Sequence, residues 1–118
     1  MNGNRSTCYN PLTILVGMYS YLLEELSKAI GARLLVQFEY NGSIYVVEPH
    51  LVGHNHNHQD CLCAWLAERL KGADEKNRWH CFMLSDIRNL KLLDKRFSQH
   101  RPGYDPYDNS MSRIYYRI

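Results

Sequence analysis

The sequence predicts a small, mainly β domain that carries one N-terminal helix. Three observations support this fold class. Apolar residues recur at helical spacing over residues 11–31, short runs of strand-forming residues begin at Leu34, and an Asn-Gly pair, Asn41–Gly42, separates two of those runs. One helix followed by an antiparallel series of short strands favours a strongly bent sheet or a partly closed barrel.

The predicted helix begins at Asn10–Pro11, because Asn can cap the first turn and proline fits the first helical position without losing a hydrogen bond. Gly31 is a natural end for it. Its apolar face is expected to pack against the sheet, with charged residues on the opposite face. The residues expected to pack are Leu15, Met18, Leu22, Leu26 and Ile30.

The first two strands are predicted at residues 34–40 and 44–48, joined by Asn41–Gly42. Asn-Gly is typical of a two-residue hairpin loop, in which both residues have positive φ. Pro49 has no backbone donor, so it is expected to end the ladder or to lie on an edge. Glu48 and His50 flank it; either Glu48 is solvated and His50 caps the turn, or the two form part of a binding site.

The rest of the chain reads as three more strands and a tail. A charged loop is expected at residues 71–77, and the last residues, 111–118, fit a strand or a helical turn. The three strands are expected at residues 61–67, 79–84 and 87–93. The chain thus divides into a polar segment at 1–10, a helix and sheet at 11–97, and an aromatic, basic tail at 98–118.

Composition limits the function classes. The 118 residues are 45% hydrophobic with a formal net charge of +2, which fits one domain with a core and argues against a strongly basic nucleic-acid clamp. The polar first ten residues and the absence of a run of ~20 apolar residues favour a cytoplasmic protein without a membrane partner. The four cysteines are then expected to be reduced. Cys61 and Cys63 share a strand face and cannot easily pair with each other.

The sequence offers one candidate metal site. Imidazole and thiolate suit zinc, nickel or copper. The candidate ligands are His54, His56, His58 and Cys61. They alternate along a turn without the paired spacing of a dedicated chelating site, so a solvated turn is the favoured interpretation.

No set of a nucleophile and a base stands out, and no phosphate-binding glycine loop is present, so the expectation is a non-enzymatic protein without a cofactor. The segment from Asp86 to Ile118 has an excess of arginine and lysine with tyrosines interleaved. This combination suits single-stranded nucleic acid or a nucleotide, although a solvated basic face is the alternative.

The order of several motifs resembles the WYL domain of bacterial regulators. The resemblance covers roughly residues 25–97, and the run Arg101 to Tyr104 is similar to the tail of short stand-alone members. The motifs are Tyr40-Asn41-Gly42, Val47-Glu48-Pro49-His50-Leu51, Leu62-Cys63-Ala64-Trp65, Phe82-x-Leu84-x-x-Ile87 and Phe97.

The resemblance implies an SH3/Sm-like, five-stranded antiparallel barrel with a flanking helix. It also implies a ligand-sensing or nucleic-acid-sensing module of transcriptional regulation. Since only about 30 residues precede the barrel, the chain resembles the sensor half alone, with a separate DNA-binding protein as its partner. The family's tryptophan and tyrosine align with Asp60 and Cys61, and two of its basic positions align with Tyr45 and His80.

The expected ligand is a nucleotide or a short oligonucleotide. The tyrosines would stack or donate hydroxyls, and His50 and Arg78 would contact phosphate. The predicted site comprises Tyr40, Tyr45, His50, Arg78 and His80. The alternatives are a protein-interaction or dimerisation subunit and a metal-binding protein. The aromatic tail favours a homodimer, unless it folds back onto its own sheet.

Overall fold

A computed structural model describes residues 11–67 and 78–118, with side chains described from residue 20 onward in these ranges. The predicted loop at 71–77, the polar segment at 1–10 and Cys8 lie outside the described residues. The elements are α1 (Pro11–Ala32), β1 (Leu34–Tyr40), β2 (Ser43–Asn55), β3 (Asp60–Leu66), β4 (Trp79–Met83), a 3-10 turn (Leu84–Asp86), β5 (Ile87–Arg96) and β6 (Met111–Arg117).

The strands form one antiparallel sheet in the order β4-β3-β2-β1-β5, and β6 pairs with β2 outside this order. A mainly β fold with an N-terminal helix is therefore confirmed. Within the described residues no ladder joins β4 to β5, so the sheet is open at this seam and has six strands rather than a closed set of five. No helix of the described ranges is long and apolar enough to cross a membrane.

The helix packs its apolar face on the sheet as predicted. Leu22, Leu26 and Ile30 are buried in the main core, whereas the neighbouring Tyr21 is 57% exposed. Leu15 and Met18 lie where side chains are not described. The apolar face of the helix shares this core with side chains of β1, β2 and β3, such as Val36, Val47 and Leu62.

The Asn41–Gly42 turn is confirmed. Asn41 has a φ of 51° and Gly42 a φ of 81°, and Tyr40 pairs directly with Ser43. Two successive positive φ values define the primed hairpin turn whose twist matches that of the flanking strands.

β2 runs past Pro49 to Asn55, so the prediction of a strand over 44–48 was too short. The ladder with β1 ends at Val47, and the ladder with β6 begins at Leu51. Pro49 lies between those two ladders and faces Ala64 of β3 on the other side, with an irregularity before Leu51. The missing donor of proline is tolerated there because only one neighbouring strand pairs at that position.

The tail folds back onto its own sheet. β6 pairs with β2, and the Tyr104 hydroxyl donates a hydrogen bond to the carbonyl of Ile118 at 3.0 Å. Tyr104, Tyr115 and Tyr116 are half-buried by their own chain, so the argument for a homodimer from exposed tail tyrosines no longer applies. Tyr107 remains 76% exposed.

Candidate functional site

A buried carboxylate on β2 is paired with an arginine from the segment after β5. Arg101 Nε donates to Glu48 Oε1 and Arg101 Nη2 donates to Glu48 Oε2, both at 2.7 Å. The Glu48 side chain is 5% exposed and that of Arg101 is 44% exposed. The hydrogen bond to Glu48 raises the pKa of the Arg101 guanidinium. The interpretation of Glu48 as a solvated group is therefore wrong, because two parallel charge-assisted hydrogen bonds compensate its burial.

The His50 side chain binds the backbone N–H of the same arginine. The ring is fully buried, and its Nε2 accepts the Arg101 N–H at 3.1 Å. Nδ1 must then carry the proton, which it donates to the Glu48 carbonyl at 2.8 Å. Burial lowers the pKa of His50, so the neutral tautomer is the one that this environment favours. Its ring stacks on Phe97 at 5.2 Å.

Two tryptophans complete this surface. The guanidinium groups of Arg78 and Arg101 lie over the Trp65 ring, 5.1 Å and 5.7 Å from its centroid. Arg78 also donates to the carbonyls of Leu66 and Ala67. The Trp79 indole N–H donates to the carbonyl of Pro102 at 2.7 Å, which ties the arginine segment to β4.

Beside the ion pair lies a cavity of about 630 Å³, here called the basic groove. Of its described lining residues, Lys95, Arg96 and Arg101 are positively charged and Glu48 negatively charged, a formal excess of two positive charges (three minus one). His100 adds an imidazole at the rim, and Phe97 adds an apolar surface. The volume lies within the range of small-molecule sites, roughly 300–1,000 Å³.

The structure brings together three of the five predicted site residues. Tyr40, Tyr45 and His80 meet around Phe82, with 6.2 Å between the two tyrosine rings and 6.5 Å from Tyr45 to His80. The Tyr40 hydroxyl accepts the Met83 N–H at 3.0 Å. We call Phe38, Tyr40, Tyr45, His80 and Phe82 the aromatic cluster.

The other two predicted residues, His50 and Arg78, lie apart from the aromatic cluster and next to the basic groove. Both ring nitrogens of His50 are hydrogen-bonded, so the imidazole has no nitrogen left for phosphate. Arg78 donates from Nε and Nη2 to the carbonyls of Leu66 and Ala67, which hold its guanidinium against its own chain. Arg78 directly precedes β4, and its carbonyl still accepts the Leu66 N–H of β3 at 2.8 Å. Its guanidinium turns to the carbonyls of Leu66 and Ala67 and to the Trp65 ring, which places its charge there rather than with the aromatic cluster.

The candidate metal ligands do not assemble. His54 Nδ1 lies 2.8 Å from Asp60 Oδ1, and the Tyr115 hydroxyl donates to the same oxygen. Cys61 follows Asp60 on β3 and faces the opposite side, where its thiol contacts Met111. His56 Nε2 lies 2.9 Å from the Asn109 carbonyl. Across residues 11–67 and 78–118, no three such ligand side chains meet in a way that could hold a metal ion.

The predicted site did not include Lys95, Arg96 and Arg101, although all three belong to the basic segment from Asp86 to Ile118 that was expected to suit nucleic acid. The signal for Arg101 was the turn-forming run that follows it, in which Gly103 has a φ of 87° and positions the arginine segment against Trp79. The pairing of Arg101 with Glu48 spans 53 residues, a separation that no local pattern reports.

Comparison of the chain with protein-family models, with curated proteins and with solved structures found no match. The resemblance to WYL domains stays a prediction that rests on the motifs themselves.

Proposed function

We propose that this chain is a non-enzymatic, ligand-sensing module of transcriptional regulation that binds a nucleotide or a short single-stranded nucleic acid in the basic groove. One observation carries the proposal. Three cationic residues line a cavity whose single described carboxylate, Glu48, is already neutralised by Arg101. Such a groove attracts phosphate without a compensating acidic repulsion.

The groove supplies the phosphate contacts of nucleotide recognition through Lys95 and Arg96. Leu35 and Phe97 also line it, but they are 4% and 6% exposed, so they form part of its wall rather than a stacking surface for a base. Arg101 uses Nε and Nη2 for Glu48, and among the described residues its Nη1 donors have no partner, which leaves them for a ligand. Because His50 and Glu48 fix Arg101 before any ligand arrives, binding requires little ordering of that side chain.

Two residues of the predicted site have contacts that give them a different role from the predicted one. His50 holds the Arg101 backbone, and Arg78 shares the Trp65 ring with the Arg101 guanidinium, so both position the groove rather than contact phosphate. The aromatic cluster with Tyr40, Tyr45 and His80 stays a prediction as a second contact surface.

An SH3/Sm-like barrel is part of this proposal. Two features support it: the strand order β4-β3-β2-β1-β5, and the bridge that Tyr40 makes across the open seam. Tyr40 of β1 pairs with Ile87 at the start of β5, and its hydroxyl accepts the Met83 N–H at the end of β4.

The test is a fluorescence anisotropy titration at low salt with a labelled single-stranded oligonucleotide and with a fluorescent ATP analogue. A Lys95→Ala/Arg96→Ala variant removes two groove charges. The matched control is Arg88→Ala/Lys91→Ala, which removes two exposed charges from the same strand, outside the groove. Both variants lower the net charge equally, so a nonspecific effect of charge would be the same in both.

We expect the groove variant to weaken binding at least about tenfold and the control to change it less than threefold. Equal losses in both variants would contradict a site in the groove. If binding survives in the groove variant but is lost in Tyr45→Ala/His80→Ala, the aromatic cluster is the site. Undetectable binding by the parent protein would overturn the function itself.

The proposed partners are a DNA-binding protein and a second copy of the chain. Since Tyr104, Tyr115 and Tyr116 are half-buried by their own chain, the tail is no longer the favoured dimer contact. We expect any homodimer to form through another surface. Light scattering at micromolar concentration measures its mass. A monomer mass would remove the homodimer from the proposal, and co-purification from the native host tests the DNA-binding partner.

A further inference from the structure

Two cysteines face each other across neighbouring strands. Cys63 of β3 and Cys81 of β4 are direct partners in the antiparallel ladder, and their sulfur atoms are 3.2 Å apart. Directly opposed residues of antiparallel strands have Cα atoms about 4.5–5.5 Å apart, which lies within the range that a disulfide requires. A bond between the two sulfurs therefore needs side-chain rotation rather than a shift of the strands.

We propose that Cys63 and Cys81 form a redox-active dithiol, in which Cys81 reacts with a neutral hydroperoxide and Cys63 then closes a cross-strand disulfide. This site is separate from the basic groove and does not depend on the nucleotide proposal. Cys81 reacts with the peroxide first because it is exposed, whereas Cys63 is buried behind it.

The two thiols differ in acidity in the direction that this chemistry requires. The 3.2 Å contact lets either sulfur donate, and hydrogen bonding with Cys63 lowers the pKa of Cys81 to about 7, which favours Cys63 as the donor. The neighbouring thiols and burial raise the pKa of Cys63, so it keeps its proton. A thiolate, not a thiol, is the nucleophile, so Cys81 is the group that attacks first.

A small cavity gives access to the pair. It measures about 310 Å³ and includes Leu51, Trp79, Cys81 and Tyr104 among its lining residues. Asp105 and Asp108 also line it and place negative charge near the thiolate. This charge disfavours anionic oxidants such as glutathione disulfide, while an uncharged hydroperoxide meets no such repulsion.

The reaction is balanced within the dithiol and one peroxide. The Cys81 thiolate attacks one peroxide oxygen, the O–O bond breaks, and an S–O bond forms. The leaving alkoxide or hydroxide takes a proton from water. The Cys63 proton then passes to the oxygen of the neighbouring Cys81 sulfenic acid, the Cys63 thiolate formed in this way attacks the Cys81 sulfur, the S–O bond breaks, and the oxygen leaves as water. Two electrons pass from the two sulfurs to the peroxide.

Cys61 is a neighbouring thiol that could take the place of Cys63 or Cys81 in the disulfide. It is buried two residues away on the same strand face, and its thiol contacts the Met111 sulfur at 3.7 Å. Hydrogen bonding with Cys63 lowers the pKa of Cys61 as well, so acidity does not distinguish it from Cys81. Cys61 is 1% exposed whereas Cys81 is exposed, and it serves as the control thiol because an oxidant cannot reach it.

The experiment treats the fully reduced chain with hydrogen peroxide or with glutathione disulfide, alkylates the remaining thiols, and maps the cysteine peptides by mass spectrometry. Circular dichroism checks the fold of each variant. With peroxide we expect one disulfide, between Cys63 and Cys81, with a mass loss of two hydrogen atoms that dithiothreitol reverses. In Cys63→Ser the reaction should stop at a Cys81 sulfenic acid that dimedone traps, and in Cys61→Ala the disulfide should still form. Glutathione disulfide should react at least about tenfold more slowly than peroxide.

A second measurement needs no variant. Brief labelling with iodoacetamide at neutral pH should modify Cys81 at least about tenfold faster than Cys61 or Cys63. The proposal is overturned if peroxide produces a different disulfide, if Cys81 over-oxidises while Cys63 stays a free thiol, or if Cys81 is labelled no faster than Cys61. Faster reaction with glutathione disulfide would overturn the assignment of the oxidant class.

Discussion

Arg101 and Glu48 lie 53 residues apart in the chain and form a bidentate ion pair with both nitrogen–oxygen distances at 2.7 Å. The carboxylate is buried and the guanidinium is partly exposed. The pair therefore neutralises a buried charge on β2 and anchors the segment after β5 at the basic groove. Because its two members differ in exposure, their removal should have unequal effects.

Arg101→Ala should destabilise the protein more than Glu48→Gln. The first change leaves a buried carboxylate without its partner, at a loss of about 1–3 kcal/mol. The second leaves an arginine that water can reach, and the loss should be under about 1 kcal/mol. Urea unfolding measures both. Arg117→Ala is the control for loss of a positive charge in the tail; because Arg117 lies over the Tyr107 ring, its loss should cost up to about 1 kcal/mol, less than that of Arg101. Equal effects of Arg101→Ala and Arg117→Ala would mean that the ion pair contributes nothing.

Stability should fall in mildly acidic solution because of His50. Burial lowers the pKa of His50 in the folded state, so the unfolded chain binds the proton more readily. The contribution is therefore fully present above the unfolded value of about 6.5 and is lost as pH falls below it, until the lowered folded-state pKa is passed. Melting curves between neutral and mildly acidic pH should show this loss. It should be smaller in His50→Gln and unchanged in His58→Asn, where the exposed histidine has a φ of 62° that Asn tolerates. The same pH slope in parent and His50→Gln would contradict the assignment.

Gly53→Ala should loosen the docking of β6. A Cβ at Gly53 would lie 2.5 Å from the Arg113 carbonyl oxygen, so the paired strand must shift. We expect a loss of about 1–3 kcal/mol. Gly31→Ala is the control, since nothing lies within 4 Å of its Cβ and alanine favours a helix. Thermal unfolding of both variants measures the difference, and an unchanged Gly53→Ala protein would show that β6 is not held there.

Leu22→Asp should unfold the domain, because it places an unpaired carboxylate in the core beneath the helix. Tyr21→Asp changes the adjacent residue, which is 57% exposed, and should leave the fold intact. Circular dichroism compares the two. If both variants melt like the parent, the helix is not docked on the sheet.

The parts of the fold that were predicted correctly are those with local causes. The Asn41–Gly42 turn follows from the backbone preference of two residues, and the buried face at Leu22, Leu26 and Ile30 follows from helical spacing. The length of β2 was missed because the breaking tendency of Pro49 is local, whereas its pairing with Ala64 is decided by a distant strand.

The candidate site divides in the same way. Tyr40, Tyr45 and His80 were placed in one predicted site and do lie together, with 6.5 Å between the Tyr45 and His80 rings. Arg78 was misplaced because the Leu66 and Ala67 carbonyls and the Trp65 ring hold its guanidinium. The environment of His50 was missed because Arg101 arrives from a segment without regular structure. Sequence periodicity carries no information about such a contact.

The central claim is that Lys95 and Arg96 of the basic groove bind the phosphates of the ligand. The most direct measurement is the affinity for a labelled single-stranded oligonucleotide as a function of salt concentration, in the parent and in Lys95→Ala/Arg96→Ala. Loss of two phosphate contacts should reduce the slope of log K against log salt by about 1.4, with the slope of Arg88→Ala/Lys91→Ala close to that of the parent. A parental slope in the groove variant would contradict the claim.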